Sequence, residues 1–157
     1  MRSRAYLTAY VTRKDGTKIV LADKIGNVFT TAGKDQFHAL CYTNASGTTR
    51  GFACIGLSEA TLTPAVGDTT LGTEISTNGL ARADAKAVGT VTHTGASNST
   101  TISNVFTASG AFTDVKASAL FNATSSGIMA HIANFTTGSG TLQSGDTLTV
   151  TWTCNLS

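Results

Sequence analysis

Alternation is the dominant pattern in this chain, and it is clearest at the C-terminus. Leu148, Val150, Trp152, Cys154 and Leu156 share one parity, while Thr147, Thr149, Thr151, Thr153 and Asn155 share the other. That pattern predicts a half-buried strand whose hydroxyl face meets water. Shorter runs rich in Val, Ile, Thr and aromatic residues predict further strands over 5–12, 18–22, 40–43, 51–58, 83–92, 100–112, 119–122 and 128–135, eight or nine in all. The connections carry turn chemistry. Lys14-Asp15-Gly16 places an Asp-Gly pair between two strand-like runs, and Thr124-Ser125-Ser126-Gly127 and Gln143-Ser144-Gly145-Asp146 each hold one glycine able to take a positive φ. Helix is confined to a turn or two. Asp68 is placed to cap a segment in which Leu71 and Ile75 sit four apart, and 34–40 is a weaker candidate. The expected architecture is therefore all-β, an antiparallel β-sandwich of jelly-roll type.

Composition narrows the class further. Charged residues make up 13% of 157, about half the usual share, and 29 Thr plus 14 Ser place a small hydroxyl at 43 positions. Nine acids, two of them Glu, are too few for a coiled coil or helical bundle. A hydrophobic content of 41% with a net charge of +2 is enough to drive collapse, which argues against disorder. The longest unbroken apolar run is four residues, so no helical membrane span is predicted, and the N-terminal run is interrupted too often for a secretory core. The length fits one domain over 1–157, with 58–67, which holds the sole proline Pro64, as a long crossover between sheets. Cys41, Cys54 and Cys154 are odd in number and widely spaced. They are read as reduced, packed thiols of a protein made in a cytoplasm, with one cystine between two of them as the alternative.

Charge is unevenly spread. Residues 1–50 hold eight of the eleven cations against three acids, a balance of +5, and the remainder balances to −3. This basic portion is expected to form an arm or an edge hairpin. Its cations, with Arg2, Arg4, Arg13, Lys14 and Lys18 foremost, are dispersed and not interleaved with aromatics, so nucleic acid is not the expected partner. They read either as solvated hairpin edges or as an electrostatic docking surface for an acidic protein.

The search for chemistry finds little. His38, His93 and His131 have no His-x-His or His-x-x-x-His spacing, so each reads as a satisfied or exposed imidazole and no metal site is predicted. Cys41 and His38, three apart on a strand, would face opposite ways, which argues against a dyad. No Gly-x-Ser-x-Gly elbow or phosphate-binding glycine loop occurs, and the Asp residues fall mostly in turns. The expectation is a protein that is not an enzyme and uses no cofactor or small-molecule substrate. Glu74 and Arg82, with few charges near them, read as a salt bridge or intersubunit contact, or as two solvated surface charges.

Several blocks, taken together, point to a family. Ile55-Gly56-Leu57-Ser58, the run TPAVGDTTLGTEI over 63–75 and Leu80-Ala81-Arg82-Ala83 are followed by FTASGAF over 106–112, ALFNA over 119–123, Gly127-Ile128-Met129-Ala130 and SGDTLTVTW over 144–152. In order and spacing this series resembles a segment common in virion structural proteins of tailed bacteriophages, and it covers about two thirds of the chain. One departure stands at Lys116-Ala117-Ser118, where similar proteins often carry an acidic residue and a glycine before the Leu-Phe-Asn block. The first fifty residues lie outside the resemblance. It implies a structural role in the virion, assembled in the host cytoplasm: first, a capsid decoration (cement) protein bound to the major capsid protein; alternatively, a tail, neck or fibre component beside other virion subunits. A homotrimer is the expected oligomer, with no membrane partner. A third reading is a carbohydrate- or ice-binding module using the hydroxyl row of Thr149, Thr151 and Thr153.

Overall fold

In the computed structural model, residues 3–33, 51–94, 99–137 and 140–156 are described, and the alternating segments become ten strands. They are β1 (Ser3–Thr12), β2 (Lys18–Gly26), β3 (Val28–Phe29), β4 (Cys54–Ser58), β5 (Ala83–Asp84), β6 (Thr90–Thr94), β7 (Ser99–Thr107), β8 (Ala117–Phe121), β9 (Met129–Asn134) and β10 (Thr147–Leu156). Every pairing is antiparallel. Two five-stranded sheets result, sheet A in the order β2-β1-β10-β7-β6 and sheet B in the order β3-β9-β8-β4-β5. This is the expected all-β sandwich.

The sheets share one apolar interior. Leu7, Ala9, Val11, Ile102, Phe106, Leu148, Val150 and Trp152 from sheet A pack with Ile55, Leu57, Leu120 and Ala133 from sheet B. Trp152, fully buried, reaches across and donates its indole N–H to Ser118 Oγ at 3.2 Å. The turns form where their residues allow. Gly16 takes φ 86° in the β1–β2 hairpin, where its N–H donates to Arg13 O and the Asp15 carboxylate accepts the Thr17 N–H. Ser126 and Gly127, with φ of 52° and 81°, turn the chain from β8 into β9.

Both expected helices need comment. Asp68 caps a turn instead of a helix, its carboxylate accepting the Ala65 N–H at 2.8 Å. Gly72 and Thr73 then take positive φ, and the Ile75 N–H bonds Leu57 O at the edge of β4, so no helical ladder can start. Leu71 and Ile75 are both buried, but in separate clusters. The 34–40 candidate and the 40–43 strand lie outside the described residues. A helix does occur where one continuous strand over 83–92 is expected. Asp84 caps α1 (Ala85–Val88) by accepting the Lys86 N–H, and this turn carries the chain from β5 in sheet B to β6 in sheet A. Ala85, Lys86 and Ala87 are good helix formers, and their alternation with small residues imitates a strand. Likewise 100–112 is not one strand: β7 ends at Thr107, and Phe112 makes a separate bridge to Leu142.

Sheet B is covered on both sides. Its face away from sheet A presents Cys54, Ala117, Ala119, Phe121, Met129 and Ile132, and these pack with Leu62 and Leu71 of the 59–82 connection. That connection is held by side chains acting as strand mimics. Asn134 accepts the Leu62 N–H and donates to Leu62 O, while Ser58 Oγ donates toward the carbonyls of Gly72 and Thr73.

Candidate interaction surface

Among the described residues sheet A has no such cover. Even-numbered residues of β1 and odd-numbered residues of β7 and β10 point away from sheet B, and all those described are half-buried or exposed. Register aligns them into rows across the strands. Val20, Tyr10, Thr149 and Val105 form one row; Thr8, Thr151, Ser103 and Thr90 form the next; Tyr6, Thr153, Thr101 and Thr92 a third. On the other side of the first row lie Lys18, Thr12, Thr147 and Thr107. Lys18 is the sole charge in these four rows, and its ammonium sits 4.8 Å from the Tyr10 ring centre. Ser103 and Thr151 share a hydroxyl hydrogen bond of 2.8 Å. The four rows are therefore uncharged apart from Lys18, with Asp23 and Lys24 exposed along the β2 edge; they are tiled with hydroxyls and crossed by an apolar row whose two valines are 50% and 56% exposed.

The cations expected to dock a partner do not form one patch. Arg13, Lys14 and Lys18 gather at the β1–β2 turn, whereas Arg4 pairs with Asn155 near the far end of β1, about 30 Å away at the rise of a strand. Arg2 lies outside the described residues, as does any account of the Arg4 side chain. Arg13 is committed within the molecule. Its guanidinium bonds the Asp146 carboxylate at 2.5 Å and ties the hairpin to the turn that precedes β10. The Gln143 N–H, and then Arg13, hold the Asp146 carboxyl below its ordinary pKa. Lys14 and Lys18 are exposed, and the Lys14 stem lies against Gly145.

Glu74 and Arg82 are brought together. Arg82 grips both Glu74 oxygens, at 2.6 and 2.5 Å, and also donates to the carbonyls of Ala123 and Ser126 in the β8–β9 turn. Its guanidinium carbon lies 3.4 Å from the centre of the Phe121 ring. One arginine thus pins the 59–82 cover and the 122–128 turn over the outer face of sheet B.

His131 and Cys54 are buried, and Cys154 is partly so. His131 is 5% exposed, stacked between Phe29 at 4.6 Å and Trp152 at 6.1 Å, and Asn27 Nδ2 donates to its Nδ1 at 2.6 Å. Burial pushes its pKa down to about 4, so the imidazole is neutral with its proton on Nε2. Cys54 and Cys154 are not disulfide-bonded, and burial pushes the Cys154 thiol up to about 12. His38 and Cys41 lie outside the described residues, and the His93 side chain is not described. Among the described residues no three His, Cys, Asp or Glu are grouped to hold a metal ion, and no helix is long and apolar enough to cross a membrane.

Sequence reasoning reached the Thr149-Thr151-Thr153 row but not the two-dimensional face around it. The alternation Tyr6-Thr8-Tyr10-Thr12 is the signal that β1 continues that face. Comparison with family models, curated proteins and solved structures returns no match.

Proposed function

We propose that this chain is a structural subunit of a tailed-bacteriophage virion, a capsid decoration protein that binds the outer shell and braces neighbouring capsomers. The observation that carries the reading is that the blocks behind the family resemblance meet in space. Ser58 of the first block bonds Gly72 and Thr73 of the second; Glu74 of the second grips Arg82 of the third; and Arg82 lies on Phe121 of the Leu-Phe-Asn block. Through these contacts the blocks form one packed unit over the outer face of sheet B. The departure at Lys116-Ala117-Ser118 spans the start of β8, where Ser118 serves as the acceptor for the Trp152 indole.

A neutral hydroxyl face on one sheet also suits a protein that works by fitting against other subunits, because it presents many short hydrogen-bonding groups that need little ordering. Docking on an acidic lattice would draw on Lys14 and Lys18, the exposed cations of the hairpin end. Quantitative mass spectrometry of purified particles tests the reading. Copies in the hundreds per particle place the chain on the shell, a few dozen or fewer move it to the tail or neck, and absence from the particle overturns the proposal.

A further inference from the structure

We propose that the outer face of sheet A is where a second copy of this chain docks, the two sheets stacking face to face about a two-fold axis that runs along the strands. The inference stands on this face alone and does not need the virion reading.

Three features single out a second copy as the occupant. The first is the order of the apolar row. Val20, Tyr10, Thr149 and Val105 run across the four strands from β2 to β7, with a valine at each end. A two-fold axis between β1 and β10 sets Val20 over Val105 of the partner subunit and Tyr10 over Thr149 of the partner subunit, so each exposed valine meets the other. The second is charge and hydrogen-bonding character. The inner strands of this face carry no charge in the four rows, and Lys18, Asp23 and Lys24 stand along the β2 edge, so a second copy meets little repulsion; a hydroxyl both donates and accepts, so hydroxyl rows can satisfy one another. A basic or acidic partner would find no complementary charge in the three rows behind Lys18. The third is size. Five strands at about 4.8 Å spacing and some nine residues at about 3.3 Å give on the order of 600 Å² per copy, hence about 1,200 Å² for the pair, the lower end of stable interfaces. Stacked antiparallel sheets normally align within about 30°, which keeps the rows in contact across this width.

The pairing is isologous and predicts a dimer, where the sequence reading predicts a trimer. Sedimentation equilibrium of the full chain under reducing conditions, from micromolar to near-millimolar concentration, is expected to give twice the 16.1 kDa chain mass. Val105→Lys and Val20→Lys each place two buried charges in the pair and are expected to weaken association by about 100-fold or more. Both valines are at least half exposed, so these variants keep the wild-type circular dichroism and, at dilutions where neither chain associates, the wild-type melting temperature. A one-to-one mixture of Val105→Lys with Val20→Glu recovers association through the opposed positions. Val66→Lys, equally exposed but on the 59–82 connection, leaves the dimer intact. A monomer or trimer at every concentration, or a dimer indifferent to both lysine variants, overturns the inference. Whether the unaltered chain is present in the particle is read by mass spectrometry and not by sedimentation, so the two proposals fail separately.

Discussion

Phe121 and Thr151 hold equivalent places in the molecule: each lies in the middle strand of a five-stranded sheet, on the face turned away from the other sheet. Phe121 is 1% exposed, whereas Thr151 is only partly buried and joined to Ser103 across the surface. The difference is whether the chain supplies its own third layer. Residues 59–82 fold back over sheet B and nothing comparable among the described residues covers the outer rows of sheet A. Composition follows that division. Every residue of β4 and β8 is buried, on both parities, while β10 from Thr147 to Thr153 alternates between buried aliphatic or indole groups and hydroxyls. A sheet sealed by its own chain gains stability from both faces, whereas one left open on a hydroxyl face gains it from one.

The contrast can be broken most severely from inside. At neutral pH His131 is uncharged in folded and unfolded chains alike. As pH falls below 6.5 the unfolded chain takes up a proton that the folded chain refuses until about pH 4, so stability drops across that window. The loss approaches about 3 kcal/mol at its lower end, and urea denaturation at pH 7, 5 and 4 reads it. His131→Gln removes this slope while leaving a separate loss below pH 3.8, where the Asp146 carboxyl, held low in the fold, is finally protonated. On sheet B, Arg82→Ala releases the 59–82 cover and the 122–128 turn together and leaves Glu74 unpaired. With Glu74 a quarter exposed, the expected cost is about 2 to 3 kcal/mol by the same assay.

Gly56→Ala probes the tightness of that cover. A methyl group there would stand 2.9 Å from the Glu74 carboxylate, 3.0 Å from the Phe121 ring and 3.3 Å from Leu71, so a destabilisation of about 1 to 2 kcal/mol is expected. Thr153→Val on the open face should change stability by less than about 0.5 kcal/mol. A comparable loss at both positions would erase the distinction between the sheets.

Much of this division was legible in the residues. Strict alternation located β10 and gave the inward parity of Trp152, runs rich in Val, Ile, Thr and aromatic residues located β1 and most of β7, and Asp15-Gly16 marked the hairpin. The apolar runs of β4 and β8, Cys54 through Leu57 and Ala117 through Phe121, already carry the signature of burial on two faces, and that signal was available. What covers sheet B was not legible, because Asn134 and Ser58 substitute side-chain bonds for a strand and leave no periodicity in 59–82. The Glu74–Arg82 pair, eight residues apart, could be anticipated; the reach of Arg82 to Ala123 and Ser126 could not. Arg13 shows the same limit. Its partner Asp146 lies 133 residues away, so a side chain read as free to dock is in fact committed to the fold.

The central claim is that the outer face of sheet A is the working surface and the outer face of sheet B is not. Its most direct test is incorporation into particles of Val105→Lys beside Val66→Lys, two exposed valines in the two regions, each variant first shown to fold. The account predicts that Val66→Lys is incorporated like the unaltered chain and that Val105→Lys falls by about tenfold or more. Equal incorporation of the two, or a loss confined to Val66→Lys, would contradict it.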